Sequence, residues 1–201
     1  MSQRDLGNES SFRRVRYLLR QDAAAYANQA AELMSKKQSI VRTISIMLTP
    51  SLLCNLLYRL SHWLWTINLR VGARLVSSLN LLVHRVWISP DSSIGPGLYI
   101  PHPAGIVFEG SAGSHLSLFA NAVVGERWGS NAGVQRPTLG DHVTVGANAV
   151  VMGQLSIGSY ATIAPMSVID TDVSDNSVAI SPRAHRTLHR TAGDGGYISD
   201  G

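Results

Sequence analysis

The sequence predicts a mainly β protein: a parallel β-helix preceded by an α-helical region. Three observations predict it. Aliphatic or small residues recur every six positions from Ile88 to Val124, and again from Leu139 to Ile169. Such a period fits neither the helical turn of about 3.6 residues nor the two-residue alternation of a half-buried strand. The composition also changes at Trp87, where helix formers give way to Gly, Ser, Pro and β-branched residues. Finally, 201 residues with 45% hydrophobic and 15% charged side chains suit one domain with a helical addition and exclude a disordered chain.

The helical elements come first. Residues 11–35 read as a helix that Ser11 caps, with Val15, Leu18, Leu19, Ala23, Tyr26 and Ala30 at helical spacing. A second helical stretch covers 39–48 and stops at Pro50. A third starts near Ser51 and carries Leu53, Leu56, Leu57, Leu60, Trp63 and Leu64. A fourth covers 71–86, with Val71, Leu75, Leu79, Leu82 and Val86. These helices are too apolar for an isolated layer, so they are expected to pack on each other or on a neighbouring subunit. Arg42, Arg59, His62, Arg70, Arg74, His84 and Arg85 interrupt the apolar run from Ile40 to Ile88, which argues for buried or interfacial helices rather than spanning ones. Residues 1–37 are polar and carry no apolar segment of the secretory kind, so a cytoplasmic location is expected, with peripheral membrane contact of the basic helices as a lesser alternative.

The repeat follows. In a parallel β-helix each hexad forms one short strand and one corner. The aliphatic residue points inward, and a small residue or Gly relieves the bend. Three hexads close one triangular coil, so residues 18 apart stack. Gly95, Gly113, Gly125, Gly140, Gly146 and Gly158 follow the inward position. The phase slips across 125–138, which predicts an extruded loop carrying Arg127, Trp128, Gln135 and Arg136; loops on rigid scaffolds commonly carry function. The expected organisation is therefore a helical region 1–86, a β-helix 87–182 and a flexible tail 183–201.

Charge is distributed unevenly. Residues 1–88 hold 12 Lys/Arg and 4 Asp/Glu, while the remainder holds 5 and 9, within a net charge of +4. No acid occurs between Glu32 and Asp91. A cationic helical half suits anionic glycans, lipids or a phosphorylated cofactor. The helices lack the interleaved aromatics of nucleic-acid readers, and no phosphate-cradling loop occurs. A single cysteine, Cys54, excludes a disulfide scaffold and a Cys-based zinc ribbon. His115, His142, His185 and His189 show no metal-ligand spacing, so no metal is expected. His62 and His84 are expected to be structural.

Several segments resemble a known family. "LLYRLSHWLW" (56–65) leads into "IPHPAGIVFEG" (100–110), the loop, and "PTLGDHVTVGANAVVMGQLSIGSYATIAP" (137–165). Together they resemble the serine acetyltransferase family of left-handed parallel β-helix acyltransferases, over roughly 40–185. The resemblance implies left-handedness, an acetyl-CoA-dependent O-acetyltransferase, and a homotrimer with each active site between neighbouring prisms; whether trimers pair through the helices stays open. The chain departs from the family at three places. Pro101-His102 stands for Asp-His, Trp87 for the acid that pairs with the catalytic His, and Gln135-Arg136 for Arg-His. The "PHPxGIV" form looks more like the branch that acetylates sugars. A saccharide hydroxyl is therefore the expected acceptor, with serine as the alternative and a non-catalytic β-helix binding protein as a further one.

The resemblance assigns roles residue by residue. His102 is the general base: Pro101 and Pro103 fix its backbone, and a near-neutral imidazole takes the proton of an attacking hydroxyl. Glu109 is a candidate substitute for the missing acid; Gln135, Arg136 and Trp128 are candidates for acceptor binding, Arg for an anionic group. Gly146, Ala147, Ala164 and Pro165 fall at the steps where the family's CoA meets the main chain, and Arg183 and Arg186 at the nucleotide phosphates. The proposed acyl donor is acetyl-CoA. Transfer is direct, since Cys54 lies in the helical region and no nucleophile elbow is present.

Overall fold

The structure is a computed structural model that describes residues 12–34, 50–126 and 136–181, with two short strands at 188–190 and 197–199. Three helices precede the β region: α1 (Phe12–Met34), α2 (Pro50–Thr66) and α3 (Arg70–His84). The expected helix over 39–48 lies outside the described residues. Asn68, at φ 62°, turns α2 into α3; Arg85, at φ 57°, ends α3 and donates its N–H to Leu81 O at 2.9 Å, so the chain enters the first strand at once.

Thirteen short strands then wind into three parallel sheets. One face stacks β1 (Val86–Ile88), β3 (Ile106–Phe108), β6 (Val123–Gly125), β9 (Val150–Met152) and β12 (Val168–Ile169). The second stacks β2 (Ser93–Ile94), β4 (Ser111–Ala112), β7 (Thr138–Leu139) and β10 (Ser156–Ile157). The third stacks β5 (Ser117–Leu118), β8 (Thr144–Val145), β11 (Thr162–Ile163) and β13 (Val178–Ala179). Partners such as Ser93↔Ser111 and Thr144↔Thr162 lie 18 residues apart, the repeat of one triangular coil. Ile88, Phe108, Val124 and Val151 are buried on the first face, Ile94, Leu139 and Ile157 on the second, and Ile100, Leu118, Val145 and Ile163 on the third. Each ladder seals the coil above and below it.

The register fixes the size of the inserted loop. Ser111 pairs with Thr138, 27 residues on, which is one coil of 18 plus nine extra residues. The register also corrects one rung of the predicted ladder. Val86 aligns with Ile106, and Ile88 with Phe108, 20 residues on; Phe108 then aligns with Val124 after 16. Ile106 is buried beside the corner, and Phe108 takes the rung expected for it. The corner holding His102 is thus two residues longer than its neighbours, and the step after Phe108 is two shorter.

The helices close the first coil. Asp22 and Arg59 form an ion pair at 3.0 Å with both side chains buried. Arg59 also donates to Ile94 O at 2.6 Å and Gly95 O at 2.7 Å, while Asp22 accepts from the N–H groups of Gly97 and Leu98. The exposed edge of the coil is satisfied by side chains of α1 and α2 in place of a further strand. His62 Nδ1 lies 2.9 Å from Pro90 O, and His84 Nδ1 lies 3.0 Å from Asn80 Oδ1, so both serve packing.

The helices pack on each other, as expected, but α3 does so through small and polar residues: Ala73, Ser77, Asn80 and His84 face inward, and Val71, Leu75, Leu79 and Leu82 are exposed. Small side chains allow α3 to approach α2 and β1 closely, so the bulky ones point away. In the tail, expected to lack structure, β14 (Leu188–Arg190) pairs antiparallel with β15 (Tyr197–Ser199).

Candidate functional site

The segment leading to His102 is held from behind. Asn55 Nδ2 donates to Leu98 O at 2.8 Å, and Ser51 Oγ donates to Pro101 O at 3.1 Å. Tyr26 Oη donates to Ile100 O at 2.8 Å and accepts from Ile100 N at 2.7 Å. Pro101 and Pro103 then restrict the corner, and Ala104 O accepts from Asn121 N at 2.8 Å. Gly105 adopts φ +63°, and a Cβ there would lie 2.0 Å from Asn121 Oδ1, so only glycine closes this enlarged corner. His102 itself is exposed, and its side chain has no partner among the described residues. The imidazole is presented outward from a rigid support.

The residues expected at the donor groove lie on the same edge of the prism. That edge carries Pro101–Gly105 in the first coil, then Phe119–Asn121, then Gly146–Asn148, then Ala164–Met166. Ala147 O accepts from Met166 N at 2.9 Å, and a Cβ on Gly146 would meet Pro165 N at 2.6 Å. Small residues here are therefore required by the stacking of coils as well as suiting close approach of a ligand. Coils rise by about 4.8 Å, so the edge runs about 14 Å from His102 to Ala164 and Pro165. Arg183 and Arg186 lie outside the described residues, as do Arg127, Trp128 and Gln135.

A second cluster occupies the opposite edge of the first face. Arg136 donates through Nη1 to Asp91 Oδ2 at 2.8 Å and through Nε to Glu126 Oε1 at 3.2 Å. Ser89 Oγ donates to the other Asp91 oxygen in a short hydrogen bond. Burial opposes ionisation of Asp91, but the Ser89 hydroxyl and Arg136 outweigh it and hold the carboxyl below its usual range. Arg136 pays for partial burial in the same way, and Asp91 and Glu126 keep it firmly protonated. Glu109 accepts a hydrogen bond from Trp87 Nε1 at 3.2 Å and adds its field to Arg136. The structure thus brings Glu109 to Trp87 and Arg136. Trp65, Arg74, Ser78, Trp87, Asp91 and Arg136 border a cleft of ≈ 330 Å³.

Sequence reasoning missed Asp91 and Glu126. Neither belongs to a motif, and they stand 45 and 10 residues from Arg136. Cys54 is fully buried, and burial pushes its thiol up to about 12, which removes it as a nucleophile. Among the described residues no group of three or more His, Cys, Asp or Glu is placed to hold a metal ion.

The fold and repeat define a class, the hexapeptide-repeat transferases built on a left-handed parallel β-helix. Residues 136–171 match the family described as bacterial transferase hexapeptide (six repeats). The soybean serine acetyltransferase apoenzyme superimposes with a TM-score of 0.71 at 25% identity, covering 84% of this chain and 67% of that one. Within the class the assignment is sharper. The Helicobacter pylori serine acetyltransferase is 31% identical over 141 residues, 69% of this chain and 82% of the relative. The Synechococcus elongatus serine acetyltransferase is 34% identical over 125 residues, 61% of this chain and 51% of the relative. The chain belongs to the serine acetyltransferase family, and it spans about half the length of the Synechococcus relative.

These likenesses overturn the expected saccharide acceptor and the placement near the sugar-acetylating branch, because the relatives are named serine acetyltransferases. The saccharide expectation rests on acids missing from the motif positions; Asp91 and Glu126 place two carboxylates beside Arg136 from elsewhere in the chain, so those missing acids are no ground for excluding serine.

Proposed function

We propose that the chain is an acetyl-CoA-dependent serine O-acetyltransferase. The observation that carries the reading is the family likeness together with His102, which a braced corner presents outward on the edge shared with Gly146, Ala147, Ala164 and Pro165. His102 accepts the proton of the serine hydroxyl as its oxygen attacks the thioester carbonyl. The tetrahedral intermediate collapses, the C–S bond breaks, and the imidazolium returns the proton to the CoA thiolate. The products are O-acetylserine and CoA. Transfer is direct, without an acyl-enzyme.

The acceptor is zwitterionic, and the Arg136 cluster offers both signs of charge: the guanidinium for the serine carboxylate, Asp91 or Glu126 for its ammonium. Gln135 and Trp128 stay candidates for the acceptor, and Arg183 for the donor's nucleotide phosphates, on the sequence resemblance alone. The first face separates His102 from Arg136 by a three-residue strand, about 10 Å of backbone. A molecule as small as serine does not bridge that span, so the two edges meet across a subunit boundary in a cyclic homotrimer. A thiol-release assay with acetyl-CoA and a panel of acceptors tests the reading. L-serine supports the fastest release; release with sugars and none with serine overturns it.

A further inference from the structure

In the α2–α3 hairpin, α3 is built inside out. α3 turns Ala73, Ser77, Asn80 and His84 inward and leaves Val71, Leu75, Leu79, Leu82 and Val83 exposed, Val71 at 74% and Leu82 at 81%. α2 buries Leu52, Cys54 and Tyr58 together with Ser51, Asn55, Arg59 and Ser61, and leaves Leu53 and Leu56 exposed. A helix that only covered the prism would turn its leucines inward. At about 100° per residue, Val71, Leu75, Leu79 and Leu82 share one face of α3, and Arg70, Arg74 and Arg85 fall along its flank. All three arginines are exposed and have no ion pair among the described residues. The Arg70 guanidinium sits 4.8 Å from the Trp65 ring centre, beside the turn between the helices.

We infer that this face docks on an anionic phospholipid surface. Charge selects that occupant. No Asp or Glu occurs anywhere from residue 33 to residue 90, so a second copy laid on this face would set arginine flanks against each other without a carboxylate from the helices. Anionic headgroups supply the missing counter-charge. No described helix is long and apolar enough to cross a membrane, so the hairpin lies in the interface plane with its aliphatic face toward the acyl chains. Arginine stems and the Trp65 ring suit the headgroup level, where an apolar body and a polar tip are both solvated. Small and polar side chains between α2 and α3 are the packing that leaves bulky ones for lipid. The inference does not rest on the acetyl-transfer reading: Trp65 and Arg74 also border the cleft beside Arg136, but the exposed aliphatic face of Val71, Leu75, Leu79 and Leu82 carries the docking.

Vesicle flotation of the full chain tests it, with phosphatidylcholine vesicles and with vesicles containing phosphatidylserine. The protein floats with the phosphatidylserine vesicles, and added salt releases it. Leu75→Gln with Leu82→Gln weakens binding by at least about tenfold. Arg70→Gln and Arg85→Gln each weaken it by about fivefold. All four positions are exposed, so the thermal melting of the variants stays that of the parent. Failure to float on either vesicle overturns the inference, as does equal binding to both. So does a Leu75→Gln, Leu82→Gln variant that loses subunits in sedimentation velocity without any vesicle binding by the parent; the face is then a contact between copies.

Discussion

The proposed serine site, assembled from two subunits, makes a quantitative prediction about mixed assemblies. His102→Ala removes the general base and lowers kcat by about 10²–10⁴-fold. Arg136→Ala removes a charge-assisted contact and leaves Asp91 and Glu126 facing each other, lowering kcat/KM by about 10–100-fold. The first chain retains Arg136 and the second retains His102. His102 precedes β3, whereas Arg136 is tied to Asp91 beyond β1 and to Glu126 at the end of β6, so the two groups lie on opposite edges of one face. In the proposed ring, each site would take His102 from one subunit and Arg136 from the next. Random one-to-one assembly of the two variants therefore makes about a quarter of all sites intact, the product of two halves. Co-expression with two different affinity tags, followed by thiol-release kinetics, measures the recovered fraction. Recovery near one quarter of parental activity is the expected result. Activity no higher than the mean of the two variants refutes the shared site. Full activity of Arg136→Ala alone refutes the role given to that cation.

Further predictions concern the supports of the site. Asp22→Asn leaves Arg59 charged and buried beside a neutral partner, which destabilises by about 3–5 kcal/mol; urea denaturation reads the loss, and kcat falls because the segment before His102 loosens. Gly105→Ala forces a side chain into φ +63° at about 1–2 kcal/mol and against Asn121. Adding Asn121→Ala relieves the collision but not the backbone strain, so the double variant regains part of the lost melting temperature. The folded Asp91 carboxyl is held below its usual range, so its contribution is present above the unfolded pKa of about 4 and is lost as pH falls through the folded value. The pair is partly exposed to solvent, which keeps that contribution below about 1 kcal/mol. Asp91→Asn correspondingly flattens the acid limb of melting temperature against pH.

The prism was legible because its signal is a period, and a period survives local irregularity. That same robustness hid one error. The corner around His102 gains two residues and the step after Phe108 loses two, so Ala112 returns to phase and Ile106 looks like a rung. The α3 face was legible as a stripe at Val71, Leu75, Leu79 and Leu82, but periodicity gives a face without its direction. The small residues Ala73 and Ser77 decide the direction, through the close approach they permit. His102 stood out because two prolines and a motif surround it. Asp22 and Arg59, 37 residues apart, carry no local mark, and the same holds for Asp91 and Glu126 around Arg136. Contacts made by tertiary closure between distant segments leave no spacing in the chain.

The central claim is direct acetyl transfer to serine with His102 as base. Mass-spectrometric detection of O-acetylserine from acetyl-CoA and L-serine, for the parent and for His102→Ala, tests it most directly. The parent forms O-acetylserine in step with free CoA, and His102→Ala forms it at a rate lower by about 10²–10⁴-fold. Undiminished O-acetylserine formation by His102→Ala, or no O-acetylserine from a parent that binds acetyl-CoA, would contradict it.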